Sequence, residues 1–167
     1  MGYQVFISHS TKDRKLVSSI KNALEDADIS VYLAEEHLQP SENLPNKILQ
    51  NIKSSDCVVV VLTDMGKRSQ FVNQEIGAAR MVNKAVIPMI EKKIERKIGG
   101  LLAGLEYISF DKSNPRRAIN KVVFYLSRLK AKLDMEVREK EDVIAAITVV
   151  AFVVIVAIIL YFAFRKK

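Results

Sequence analysis

From Val143 to Phe164 the chain runs for 22 consecutive positions without a charge, and Thr148 alone among them falls outside the hydrophobic set. At about 1.5 Å of rise per residue, a helix of that length covers ~33 Å, against a hydrocarbon layer of roughly 30 Å. The stretch therefore reads as one membrane crossing. Taking it out also explains the composition, which combines 49% hydrophobic with 27% charged residues. The other 145 residues carry all 45 charges and about 61 hydrophobic positions, an ordinary balance for a soluble domain. The chain divides accordingly into a soluble domain over 1–127, a charged helical stalk over 128–142, a transmembrane helix over 143–164 and a basic tail over 165–167.

The start of the chain, Met1-Gly2-Tyr3-Gln4-Val5-Phe6, has none of the basic flank, apolar core or small-residue cleavage site of a secretory signal. Phe6 also occupies the position where a myristoylation signal needs Ser or Thr. The expected topology is thus a single-pass protein held by its C-terminus, with the soluble domain in the cytoplasm. Five basic residues before the span (Arg128, Lys130, Lys132, Arg138, Lys140) and three after it (Arg165, Lys166, Lys167) agree weakly with that orientation.

The net charge of +7 does not mark a nucleic-acid binder. Three of those charges sit at the tail tip, the stalk is balanced, and the rest are dispersed without a basic stripe or stacking aromatics. Cys57 is the one cysteine, which excludes an internal disulfide, and with two histidines it cannot make a convincing zinc site. No metal is expected.

Short Val- and Ile-rich runs alternate with segments of helical periodicity through the soluble part. Val5–Ile7 reads as a strand, followed by a helix with Leu16, Val17, Ile20, Ala23, Leu24 and Ala27 on one face, capped by Ser10 and Asp13. Ile29–Leu33 is a second strand, 38–44 a polar loop, and Pro45 opens a helix whose apolar face is Ile48, Leu49 and Ile52. Cys57–Leu62 has no polar alternation, as expected of a central parallel strand covered on both sides. A helix over 70–83 follows, then a strand over 85–90 whose Pro88 argues for a strand end or an edge. Tyr107–Phe110 makes a fifth strand, and from Arg116 a helical pattern continues toward the apolar span.

Five strands interleaved with helices predict an α/β fold: a five-stranded parallel sheet of order 2-1-3-4-5, with helices on both faces. In that order the ligand crevice lies at the carboxyl ends of strands one and three. Ser8, His9 and Ser10 follow the first of those ends, and the segment 63–71 follows the second. Consecutive residues on a strand point to opposite faces, so Ser8-His9-Ser10 suits a crevice lining better than a nucleophile and base. Gly99-Gly100 with Gly104 fails the phosphate-loop patterns. The basic run Lys92, Lys93, Arg96 and Lys97 reads as wet surface. Glu75 stands out because it lies four residues after Phe71 in the 70–83 helix, so that aromatic and carboxylate share a face.

Val5-Phe6-Ile7-Ser8-His9-Ser10-Thr11-Lys12-Asp13, the Ile29–Leu33 strand with its Pro40 loop, Asp56–Thr63 and Phe71-Val72-Asn73-Gln74-Glu75-Ile76, in that order, resemble a Toll/interleukin-receptor (TIR) domain of the prokaryotic type. The resemblance covers roughly residues 3–127. It implies a flavodoxin-like fold, self-association through TIR–TIR contacts, and cleavage of NAD to nicotinamide and ADP-ribose or a cyclic isomer. It makes Glu75 the catalytic residue, with Phe71 standing where the family usually has Trp, and Ser8, His9, Ser10 and Phe71 against the substrate. The loop Leu38, Gln39, Pro40, Ser41, Glu42, Asn43 and Leu44 corresponds to the family's mobile loop, which governs access and contacts between neighbours. NAD is then a substrate, and no cofactor is implied.

Two functions follow from the resemblance. One is a membrane-anchored effector that assembles and cleaves NAD in antiviral defence, by destroying the cofactor or by making a nucleotide signal from it. The other is a non-enzymatic adaptor that recruits partner TIR proteins to the membrane, with Glu75 a bystander.

Overall fold

A run of β-branched residues is stiff at χ1 and packs well on a pleated surface, so Cys57-Val58-Val59-Val60-Val61-Leu62 has little alternative to a buried strand. A computed structural model, which describes residues 2–33, 44–67, 69–97 and 102–165, places it at the centre of the sheet. The strands are β1 (Gln4–Ser8), β2 (Ser30–Tyr32), β3 (Cys57–Leu62), β4 (Ala85–Glu91) and β5 (Ile108–Phe110). They pair in parallel in the order β2-β1-β3-β4-β5, as the sequence predicts. The helices are α1 (Arg14–Glu25), α2 (Leu44–Ser54), α3 (Gln70–Met81) and α4 (Arg116–Arg165).

Alternation along the strands sorts the core into two layers. Phe6, Val58 and Val60 meet Ile52 of α2 and Val72, Ile76 and Ala79 of α3 in one cluster. Val5, Ile7, Val59 and Val61 point the other way and are equally sealed, at 0–1% exposure. The buried faces of α1 (Leu16, Val17, Ile20, Leu24) and early α4 (Ala118, Ile119, Val122, Leu126) are available to cover them. Each fully buried Val or Ile is worth about 1.5–3 kcal/mol relative to exposure.

Helix ends follow local chemistry. Asp28 (φ 57°) and Asn83 (φ 54°) sit in the left-handed region just past α1 and α3, where a short polar side chain is tolerated. Their neighbours close the turns, Ile29 N–H bonding to Leu24 O at 3.0 Å and Lys84 N–H to Ala79 O at 2.9 Å. The third helix accordingly stops at Met81, short of the expected Asn83.

Pro88 departs from its reading, since it lies inside β4, an interior strand, opposite Val60. The reason is register. β5 is three residues long and pairs with β4 only from Met89 onward, so at Pro88 β4 is bordered by β3 alone and an N–H is dispensable.

The chain separates into two compact units, Met1–Ser127 and Arg128–Lys167. The second is helical throughout its described part. Its apolar side chains stand outward, with Ile147, Val149 and Phe152 all more than 60% exposed. Thr148, the polar residue in the run, donates its hydroxyl to Ile144 O at 2.8 Å and so asks nothing of its surroundings. This helix is long and apolar enough to cross a membrane.

Candidate functional site

β1 delivers the first half of the site. Ser8 continues the alternation of Phe6 and so faces α3, where its hydroxyl donates to Glu75 Oε2 at 2.5 Å. Ser8 is fully buried and Glu75 is 6% exposed. A charged acceptor makes such a bond short and strong, and it pins the carboxylate in one rotamer. His9 turns the other way, its Nδ1–H donating to Ile7 O at 3.3 Å, and is buried together with Ser10.

α3 delivers the second half. Ser69 caps it, its Oγ accepting from Val72 N–H at 3.5 Å. Val72, Ile76 and Ala79 bury the face against the sheet, and Glu75 falls between them, which brings a carboxylate under the helix at the carboxyl ends of β1 and β3. Phe71, one turn earlier, is 61% exposed. The spacing that puts the two side chains on one face thus leaves the ring in solvent and buries only the acid. Of the residues expected to touch substrate, the fold brings Ser8 and Glu75 into contact, buries His9 and Ser10 in the turn that follows, and leaves Phe71 exposed. Residues 38–43 of the expected assembly loop lie outside the described residues, and Leu44 is the first residue of α2.

A second polar cluster was not anticipated. Asp13, read as a helix cap, makes no capping bond. Its carboxylate instead accepts the Thr63 hydroxyl on Oδ2 at 2.6 Å and the Lys112 ammonium on Oδ1 at 2.8 Å. Gly66 N–H donates to Thr63 Oγ1 at 3.0 Å. These partners lie 50 and 99 residues from Asp13, so no local pattern could have revealed them.

The carboxyl edges of β3 and β4 carry a third set. Asp64 N–H donates to Glu91 Oε2 at 2.7 Å, and the Asp64 carboxylate accepts from Lys67 and from Lys93, the latter at 2.8 Å. Those two ammonium groups hold its carboxyl well below the usual range. Lys93 thus has a partner while remaining on the surface, 69% exposed, as its basic run reads. Among the described residues no group of acids, histidines and cysteine is placed to hold a metal.

The doubly wound sheet sets the buried Glu75 carboxylate at the carboxyl ends of β1 and β3, the switch point where folds of this class generally take their ligands. Residues 5–123 match the TIR domain family, and the chain belongs to it. A stretch of 74 residues is 31% identical to a Methanobrevibacter olleyae protein described as "Probable 2' cyclic ADP-D-ribose synthase TcpO", covering 44% of this chain and 22% of that protein's length. Among solved structures, the TIR domain of the Toll-related receptor TRR-2 from Hydra magnipapillata aligns with a TM-score of 0.62 at 19% identity, over 75% of this chain and 98% of that one. The TIR-STING receptor of C. gigas, determined with 2',3'-cGAMP, aligns with a TM-score of 0.64 at 19% identity, over 75% of this chain and 39% of that one. At such identities the two structures carry the fold alone.

Proposed function

We propose that the chain is a membrane-anchored TIR enzyme that breaks the nicotinamide–ribose bond of NAD, with Glu75 as its catalytic residue. The observation that carries this reading is the buried Glu75 carboxylate held by the Ser8 hydroxyl at 2.5 Å, at the switch point of the sheet. The electron pair of the C1'–N bond leaves with the nicotinamide, which is cationic in NAD and departs neutral without a general acid. The ribose is left as an oxocarbenium-like centre, and a preorganised carboxylate in a site shielded from water stabilises it strongly. Water adding at C1' and losing a proton gives ADP-ribose, whereas a hydroxyl of the substrate adding there gives a cyclic isomer. The likeness to the Methanobrevibacter olleyae protein supports an NAD-derived product of one of these kinds.

Anchoring is part of the same proposal: α4 crosses the membrane once, the TIR domain is cytoplasmic, and the C-terminal span is the anchor. The support is the uncharged run within a helix whose apolar side chains face outward. Copies confined to one plane meet at high effective concentration, so weak TIR–TIR contacts suffice for self-association. We place such an assembly in antiviral defence, where cleaving NAD depletes the infected cell or signals within it.

The test is mass spectrometry of NAD incubated with the full chain in liposomes at high surface density. Wild type is expected to release nicotinamide, and Glu75→Gln to reduce release by at least about a hundred-fold, the scale of losing one transition-state stabiliser. Equal release by both proteins would remove Glu75 from the chemistry. No release by either would favour the adaptor that recruits partner TIR proteins.

A further inference from the structure

We infer that Asp13 and Lys112 form a clamp that positions Ser8 against Glu75 and so acts on turnover rather than on substrate affinity. The inference rests on the NAD-cleavage reading.

The Asp13 side chain is completely buried. Burying a carboxylate is costly unless it is paired and hydrogen-bonded, and its partner Lys112 is 39% exposed, where solvent screens the attraction and an ion pair adds little net stability. Stability is therefore a poor reason for this pair, whereas its connections give it a use. Asp13 N–H donates to Ser10 O at 2.8 Å, closing the tight turn that begins two residues after Ser8. Only four residues separate Ser8 from Asp13, and that turn leaves them little slack, so a shift at Asp13 reaches the Ser8 hydroxyl.

Three strand ends meet at this carboxylate. Thr63 follows β3, Lys112 follows β5, and Asp13 belongs to the segment after β1. In the sheet β3 and β4 lie between β1 and β5, so Lys112 reaches across the carboxyl edge to hold the segment that follows Ser8 at the end of β1. The bonds also reinforce one another. Gly66 N–H donates to Thr63 Oγ1, which commits the hydroxyl proton of Thr63 to Asp13. Space at Gly66 is tight: a Cβ there would lie 3.1 Å from Asp13 Oδ2 and 3.1 Å from the Ser10 Cβ, so those side chains would have to give by a few tenths of an ångström.

The test is steady-state NAD cleavage by the full chain in liposomes, with thermal unfolding measured on the same samples. Lys112→Met and Gly66→Ala, which disturb the carboxylate from opposite sides, are each expected to lower kcat about ten-fold while KM stays within about two-fold, as misplacement of a catalytic group does. Lys112→Met strands a buried charge and should lower Tm. Adding Asp13→Asn removes that charge and should recover Tm while kcat stays low. Recovery of kcat together with Tm in the double variant, or unchanged kcat in both single variants, would make the clamp merely structural and overturn the inference. A wild type that releases no nicotinamide would overturn the NAD-cleavage reading and the clamp with it. An active wild type beside equally active variants removes the clamp alone.

Discussion

Val58, Val59, Val60 and Val61 in β3 are each 0% exposed, whereas Val149, Val150 and Val153 in α4 are 63%, 63% and 59% exposed. The residue type is the same and so is the lack of nearby charge, yet one run is a strand and the other a helix. The β3 valines number four and find neighbours on both sides, β1 and β4, whose backbones satisfy theirs. The α4 run is 22 residues long and, among the described residues, pairs with no strand. In hydrocarbon a lone segment must satisfy every N–H and C=O internally, which a helix does whatever the β-propensity of its side chains. An apolar run is thus read by its length and by what surrounds it.

The comparison breaks most visibly if one charge is put into each run. Val59→Asp buries an unpaired carboxylate in the sheet and is expected to cost more than about 4 kcal/mol, much of the 5–15 kcal/mol that holds a typical domain together. Circular dichroism should find no cooperative unfolding transition. Val153→Asp should leave unfolding of the TIR unit unchanged while costing roughly 2.5–3.5 kcal/mol of insertion, read as lost flotation with liposomes. If Val153→Asp instead unfolded the TIR unit, the second run would be packed protein rather than membrane span.

A smaller effect sharpens the β3 side. Cys57 opens that strand, is 1% exposed, and accepts a hydrogen bond from the Tyr3 hydroxyl at 3.7 Å. Burial, more than any neighbour, pushes its thiol up to about 11. The folded state therefore favours the neutral thiol. The stability this contributes is fully present below the unfolded value of about 9 and is lost as pH rises from about 9 toward 11. Burial likewise raises the Tyr3 phenol above its usual range. Denaturant titrations of wild type and Cys57→Ala should differ in slope against pH only in that alkaline window. In native protein at neutral pH, iodoacetamide should leave Cys57 unlabelled.

Much of the domain was legible in the chain. Among the described residues, short Val- and Ile-rich runs located the five strands and the period-3.6 pattern the four α-helices, because a strand covered on both sides is apolar throughout while a helix needs only one apolar face. The Pro88 reading held only locally: β4 is an interior strand, yet at Pro88 it lacks a β5 partner, and the short register of β5 cannot be seen in β4. For the site, the family resemblance put Ser8 and Glu75 on one substrate crevice, and they are 67 residues apart in sequence yet bonded in the fold. Phe71 and Glu75 looked equivalent by spacing, but α3 buries one and exposes the other. Asp13 looked like a cap because capping is a local pattern, whereas its true partners, Thr63 and Lys112, arrive from other strands.

Residue order alone determined the alternation of strands and helices, the parallel sheet that follows from it, and a 22-residue segment suited to a different solvent. Those properties depend on patterns within one segment and on the length of connections. Tertiary structure decided which polar side chains meet at the carboxyl edge: the buried Ser8–Glu75 bond and the Asp13, Thr63 and Lys112 cluster. The physical reason is range, since hydrophobic periodicity repeats within a few residues, while a buried hydrogen bond needs two groups within about 3 Å however far apart the chain has placed them.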